Sequence, residues 1–116
     1  MSTLVDTSVW IKHLKDPNSS LINLLEAREV VTHSAIVGEL AAGSIKNRSK
    51  FLGDLKLIPR IQEIHSDEVL GFIETQKLHG KGLSWVDLQL LASALVAKCD
   101  LFTFDILLDR TFKNLR

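Results

Sequence analysis

Residues 82–105 read GLSWVDLQLLASALVAKCDLFTFD. Ser84 is a good helix-capping residue, and the Leu- and Ala-rich run behind it predicts one long helix through Lys98. The next five residues, DLFTF, read as a strand, and Asp105 stands at its end. A helix feeding a strand is the repeating step of a parallel α/β sheet. The first residues show the complementary step. In LVDTSVWI, residues 4–11, a strand over 3–6 passes into a helix over 8–15 with Ser8 as its cap, and Asp6 lies at the join.

The chain between these two ends continues the alternation. Asp16-Pro17-Asn18 marks a turn, and SSLINLLEAR has helical spacing at Leu21, Ile22, Leu24 and Leu25. EVVTH is a second strand. Ser34 caps a helix that ends at Gly43, and IKNRSKFLGDLKLI is a basic amphipathic helix that stops before Pro59. IQEI, residues 61–64, reads as a third strand, which makes DLFTF the fourth. Ser66 caps a helix to about His79, HGKG is a loop, and residues 106–116 are a short final helix or tail. Four strands alternating with helices predict a parallel sheet covered on both faces, with ligands beyond its carboxyl edge. No repeat or internal linker breaks the 116 residues, so a single domain over 1–116 is expected.

Composition excludes several classes of function. Lys plus Arg and Asp plus Glu number 14 each, so no global charge draws the protein to nucleic acid, although local basic patches remain available. Cys99 is the only cysteine, so an internal disulfide and a zinc knuckle are both excluded, and a reducing cytoplasm is expected. The N-terminus lacks the charged and apolar segments of a signal peptide. The apolar run 82–97 holds Asp87 and Gln89 and is too short to span a membrane. Neither G-x-x-x-x-G-K-[ST] nor G-x-G-x-x-G occurs.

Four acids stand apart from the other ten. Asp6 is the only charge in residues 1–11, Glu39 in 34–45, Asp87 in 82–97 and Asp105 in 101–108. A carboxylate among apolar residues is costly unless it is paired or binds metal. Each has a local explanation when taken alone. Asp6 can form a turn, Glu39 can ride half-exposed on a helix, Asp87 can complete a capping box with Ser84, and Asp105 can cap the last helix. Together they lie after strands or near helix starts, where one sheet edge would gather them. Oxygen ligands without His or Cys suit Mg²⁺ or Mn²⁺, and such a cation serves phosphodiester hydrolysis.

In this order, LVDTSVWI, HSAIVGELAAG and GLSWVDLQLLASALVAKCDLFTFD resemble PIN-domain ribonucleases and, among them, the VapC-type toxins of toxin–antitoxin pairs. The resemblance covers nearly the whole chain. It implies a PIN-like three-layer sandwich, with a short central parallel sheet between helices. It implies a metal-dependent endoribonuclease whose acidic quartet is Asp6, Glu39, Asp87 and Asp105, with Thr7, Ser8 and Thr103 as polar support. It also implies an RNA substrate, Mg²⁺ or Mn²⁺ as cofactor, 5′-phosphate and 3′-hydroxyl products, a VapB-like antitoxin as partner, and a homodimer. ILLD follows Thr-x-Asp where the family usually has an acidic-Phe pair, which makes Asp109 a further acid ranked below the four.

Other residues have narrower readings. Lys12, Lys46, Arg48, Lys50 and Lys81 are candidate RNA-backbone contacts, with a solvated surface as their plain alternative. Trp10 and Trp85 start helices and read as core or interface side chains rather than base-stacking platforms. The histidines show no ligand spacing. Val9, Trp10, Ile11 and Leu14, with the helix around Leu21–Leu25, are the expected partner groove. Two rival functions are a non-catalytic PIN-like scaffold that binds RNA or protein and a receiver-type signalling domain. The receiver would need paired acids after the first strand, where only Asp6 stands.

Overall fold

The computed structural model describes Met1–Arg116. Its elements run β1 (Thr3–Val5), α1 (Thr7–Lys15), α2 (Ser19–Glu26), β2 (Val30–Val31), α3 (Ser34–Ala42), α4 (Arg48–Leu55), α5 (Ser66–Gln76), α6 (Trp85–Ala97), β3 (Asp100–Phe102) and α7 (Ile106–Leu115). The sheet is parallel, with order β2-β1-β3. β1 is central. Thr3 and Leu4 face Val30 and Val31 on one side, and Thr3, Leu4 and Val5 face Asp100, Leu101 and Phe102 on the other. Leu4 and Val5 have no exposed surface, as expected for a strand with helices over both faces.

Helices α1, α3 and α4 contact one another in succession, as do α5, α6 and α7, and α6 and α7 lie against β3. In α6, Leu88, Leu90, Leu91, Ala92, Ser93 and Ala94 are all buried. A helix apolar on nearly every side belongs to the core. The buried apolar side chains form one cluster from Leu4 to Phe112. The architecture is the expected α/β arrangement, and no helix is long and apolar enough to cross a membrane.

Several sequence expectations are corrected. There are three strands, not four. IQEI forms no strand, and only a single bridge joins Thr32 to Arg60. Thr32 N donates to the Pro59 carbonyl and Ile61 N to the Thr32 carbonyl. The two-residue β2 offers no longer ladder, and beyond the bridge Glu63 turns to Ser34. The basic helix begins at Arg48 rather than Ile45, because Asn47 holds a left-handed backbone (φ 54°, ψ 42°). It ends at Leu55, well before Pro59.

The predicted caps also shift. α1 starts at Thr7, with Asp6 at the cap position and Ser8 inside the helix. His33 Nδ1 accepts from Ala35 N, and His65 Nδ1 accepts from Asp67 N, so histidines rather than Ser34 and Ser66 cap α3 and α5. α5 stops at Gln76, where Lys77 turns left-handed.

Candidate active site

β1 and β3 end side by side, and Asp6 N donates to the Phe102 carbonyl at 2.9 Å. This register places Asp6 beside Thr103. The Asp6 carboxylate is 7% exposed and has no cationic partner. It is held by two hydroxyls on one oxygen. Ser8 Oγ donates to Oδ2 at 2.8 Å and Thr103 Oγ1 donates to the same atom at 2.7 Å. The hydroxyls also lie 3.4 Å from each other. Each has one proton, and both protons go to Asp6, so that third contact adds no separate hydrogen bond.

The lone pairs of the two hydroxyls complete the network. Phe104 N donates to Ser8 Oγ at 3.1 Å, and Asp105 N donates to Thr103 Oγ1 at 3.0 Å. Asp105 Oδ1 in turn accepts from Leu108 N at 3.0 Å and caps α7. Asp6 and Asp105 are thus linked through Thr103. Glu39 joins from the next residue of α1, because Thr7 Oγ1 donates to Glu39 Oε1 at 2.7 Å.

Asp87 stands differently. Its Oδ2 accepts from Ser84 N, and its own N–H donates to Ser84 Oγ, both at 3.0 Å. The capping box expected from S-W-V-D is therefore present in full. α6, which carries it, packs against α7 and β3, the elements on either side of Asp105, and the loop before α6 also approaches α7. A Cβ on Gly82 would lie 3.4 Å from Leu107 Cδ2 in the first turn of α7.

Three acids therefore sit at helix N-termini, Asp6 at α1, Asp87 at α6 and Asp105 at α7. The unpaired N–H groups there carry positive partial charge and offset part of the acidic charge. Burial is not shared equally. Asp6 is buried, Asp87 is half-buried, and Glu39 and Asp105 are exposed. An apolar sequence neighbourhood signalled a buried carboxylate only at Asp6.

The donor chemistry suits a hard divalent cation. The hydrogen bonds of each carboxylate fall on one oxygen, which leaves Asp6 Oδ1, Glu39 Oε2, Asp87 Oδ1 and Asp105 Oδ2 for ligation. No three His, Cys, Asp or Glu side chains are drawn together as a ready coordination group.

The helix carrying Glu39 is anchored at its start. His33 is 1% exposed, and burial pushes its imidazole below the ordinary value of 6.5, opposed by nearby Glu63 and assisted by Arg60. Ser34 Oγ and N both donate to the Glu63 carboxylate. The hydroxyl bond, first among several causes, holds Glu63 below its ordinary 4.5. Burial raises the Cys99 thiol, which makes it an unreactive core residue.

The basic candidates divide. Lys12 Nζ stands 4.9 Å above the centre of the Phe104 ring. Lys46 lines a groove of about 560 Å³ with Ile11, Leu14, Lys15, Glu39 and Ile45. The Arg48 guanidinium is bound to the Ala41 carbonyl at 3.0 and 2.7 Å, and Lys50 pairs with Asp54. Lys81 is exposed, and Asp109 pairs with Lys113. Trp10 is core, with Val9 and Leu21, whereas Trp85 is 42% exposed. Of the expected partner groove, Ile11, Leu14 and Ile22 remain open to solvent.

Phe104, between Thr103 and Asp105, is 41% exposed.

The PIN domain family model matches residues 3–113. Ribonuclease VapC32 of Mycobacterium tuberculosis strain CDC 1551 / Oshkosh is 43% identical over 103 residues, covering 88% of this chain and 83% of that protein. The protein of the same name from strain ATCC 25618 / H37Rv gives the same figures.

Proposed function

The chain belongs to the PIN domain family and is of the VapC type, and on that premise we propose that it is a metal-dependent endoribonuclease, the toxin of a toxin–antitoxin pair. The observation that carries the reading is Asp6, a buried carboxylate fixed through Oδ2 by two hydroxyls, with Oδ1 left for ligation and Glu39 and Asp105 tethered beside it. Asp6, Glu39, Asp87 and Asp105 would hold Mg²⁺ or Mn²⁺. When bound, the cation supplies charge neutralisation at the scissile phosphodiester and water of lowered pKa for in-line attack.

The chain's own residues set the arrangement. Ser8 and Thr103 keep the Asp6 carboxylate from rotating, because turning it would exchange two charge-assisted hydrogen bonds for none. Thr7 does the same for Glu39 with one bond. The Leu108 amide orients Asp105, and the Ser84 amide orients Asp87. Helix N-termini lie behind three of the acids, and no cationic side chain occupies the site.

The same reading assigns RNA as substrate, the cytoplasm as place of action, a dimer as the working form and a VapB-like antitoxin as partner. The groove between Ile11, Leu14, Glu39 and Ile45 supports the last assignment, because it offers apolar surface with an active-site acid at its rim.

The test is cleavage of a mixed single-stranded RNA pool by purified protein. Mn²⁺ or Mg²⁺ should support cleavage, EDTA should stop it, and Asp6→Asn should abolish it. Equal cleavage in EDTA, or by a folded Asp6→Asn protein, contradicts the reading.

A further inference from the structure

One aromatic ring stands beside the acids without serving the core. Phe104 is 41% exposed, and it precedes Asp105 directly. Single exposed apolar side chains are ordinary on protein surfaces. This one is held in place and has company. Its amide is bonded to Ser8 Oγ, the hydroxyl that holds Asp6. Its ring meets Phe102 edge to face, with centres 5.5 Å apart and planes at 81°. Lys12 stands over it at 4.9 Å. Ile106 and Leu107, just after Asp105, are also exposed, at 74% and 39%. A braced ring with a cation above it, bonded through its amide to the hydroxyl that holds Asp6, is the combination that single-stranded nucleic acid binds: a base stacks on the ring, and the cation meets the phosphate.

We propose that Phe104 and Lys12 form a subsite for one unpaired nucleobase and its phosphate next to the cleaved bond. The inference rests on the ribonuclease reading and assigns to Phe104 and Lys12 the contact with one unpaired nucleotide of that RNA at the cut. Adjacent Cα atoms are about 3.8 Å apart, so the ring and Asp105 address the same or neighbouring nucleotides. A base buried in a duplex stack cannot also lie on Phe104. Stacking accepts any base, so the subsite selects for unpaired structure rather than base identity. Lys12 leaves the ring face when the base arrives and moves to the phosphate, where its charge is complemented.

The test compares a labelled single-stranded oligonucleotide with the same strand annealed to its complement. Binding is followed by fluorescence anisotropy in EDTA, and cleavage is followed separately in Mn²⁺. Wild type should prefer the single strand. Phe104→Ala should weaken binding by about 5- to 150-fold, the range expected for one lost stacked base. In cleavage the loss should fall on KM rather than kcat. Phe104→Trp should restore binding, while Phe104→Leu, which is apolar but cannot stack, should not. Lys12→Gln should lower the salt slope of binding by about one. Equal affinities of wild type and Phe104→Ala, rescue by Leu as good as by Trp, or no wild-type preference for single strands overturns the inference. Metal-dependent cleavage by wild type is read independently, so the subsite can fail while the ribonuclease reading stands.

Discussion

Thr103→Val removes one hydroxyl while keeping the shape of the side chain. The hydroxyl makes two bonds, one given to Asp6 Oδ2 and one accepted from Asp105 N. A hydrogen bond to a charged group is worth about 1.5–3 kcal/mol. Thr103 and Asp6 are 9% and 7% exposed, so water replaces little of the first bond. Asp105 is exposed, and water can take over its amide. Valine would be harmless if Asp6 were removed with it. Alone, it leaves a buried carboxylate with Ser8 as its only hydroxyl partner. The expected loss is therefore about 2 kcal/mol, or a melting temperature lower by roughly 6–12 °C for a domain of this size. Cleavage should fall by about 10–100-fold because Asp6 can now rotate. Thr7→Val is the control. Its bond to Glu39 is exposed, so stability should stay within about 0.5 kcal/mol. Differential scanning fluorimetry and a cleavage time course measure both effects. A Thr103→Val protein that melts within 2 °C of wild type and cleaves at the wild-type rate would refute the argument that this hydroxyl positions Asp6.

Three further outcomes follow from the geometry. His33 is held below 6.5, so below that pH the unfolded chain binds the extra proton first, and the protein should lose stability as pH falls from 6.5 toward the folded value; His33→Asn, which keeps an N-cap acceptor, should flatten that part of a urea-midpoint profile, while Glu63→Gln should flatten the part below 4.5. Ser84→Ala should cost about 1 kcal/mol in denaturant unfolding with cleavage largely kept, whereas Asp87→Asn, whose amide oxygen can still accept from Ser84 N, should keep stability and lose about 10–100-fold or more in activity. Lys98 takes a left-handed backbone at the end of α6 (φ 55°), so Lys98→Gly should stabilise by about 0.5 kcal/mol, seen as a higher urea midpoint at unchanged activity.

Much of this was legible in the sequence because the signals were long or redundant. The helix over 85–97 is too apolar and uninterrupted to be read otherwise, and Asp6 follows from where β1 ends, whereas β3 stops at Phe102 rather than running through DLFTF and Asp105 caps α7 instead of ending the strand. What stayed hidden was tertiary. IQEI has strand-like residues, but β2 is only two residues long, and the Glu63–Ser34 bond diverts the chain before a ladder can form. His33 and His65 cap helices through ring nitrogens, a role that Ser34 and Ser66 concealed by being better cap formers in isolation. The plain explanations of Asp87 and Asp105 as caps hold in the structure, and capping uses only one oxygen of each. Arg48 looked like a free cation until the fold showed it bound across the end of α3.

The bond between Thr103 and Asp6 spans 97 positions, and β1 waits for β3 to fill its second edge. That distance has a meaning in time. A ribosome adding roughly 5–20 residues per second makes Asp6 on the order of 5–20 s before Thr103. Until then Asp6 and β1 have been made, but not the hydroxyl or the strand that completes the arrangement. The hold on Asp6 is therefore completed only once Thr103 has been made, after the residues of α1 and α3.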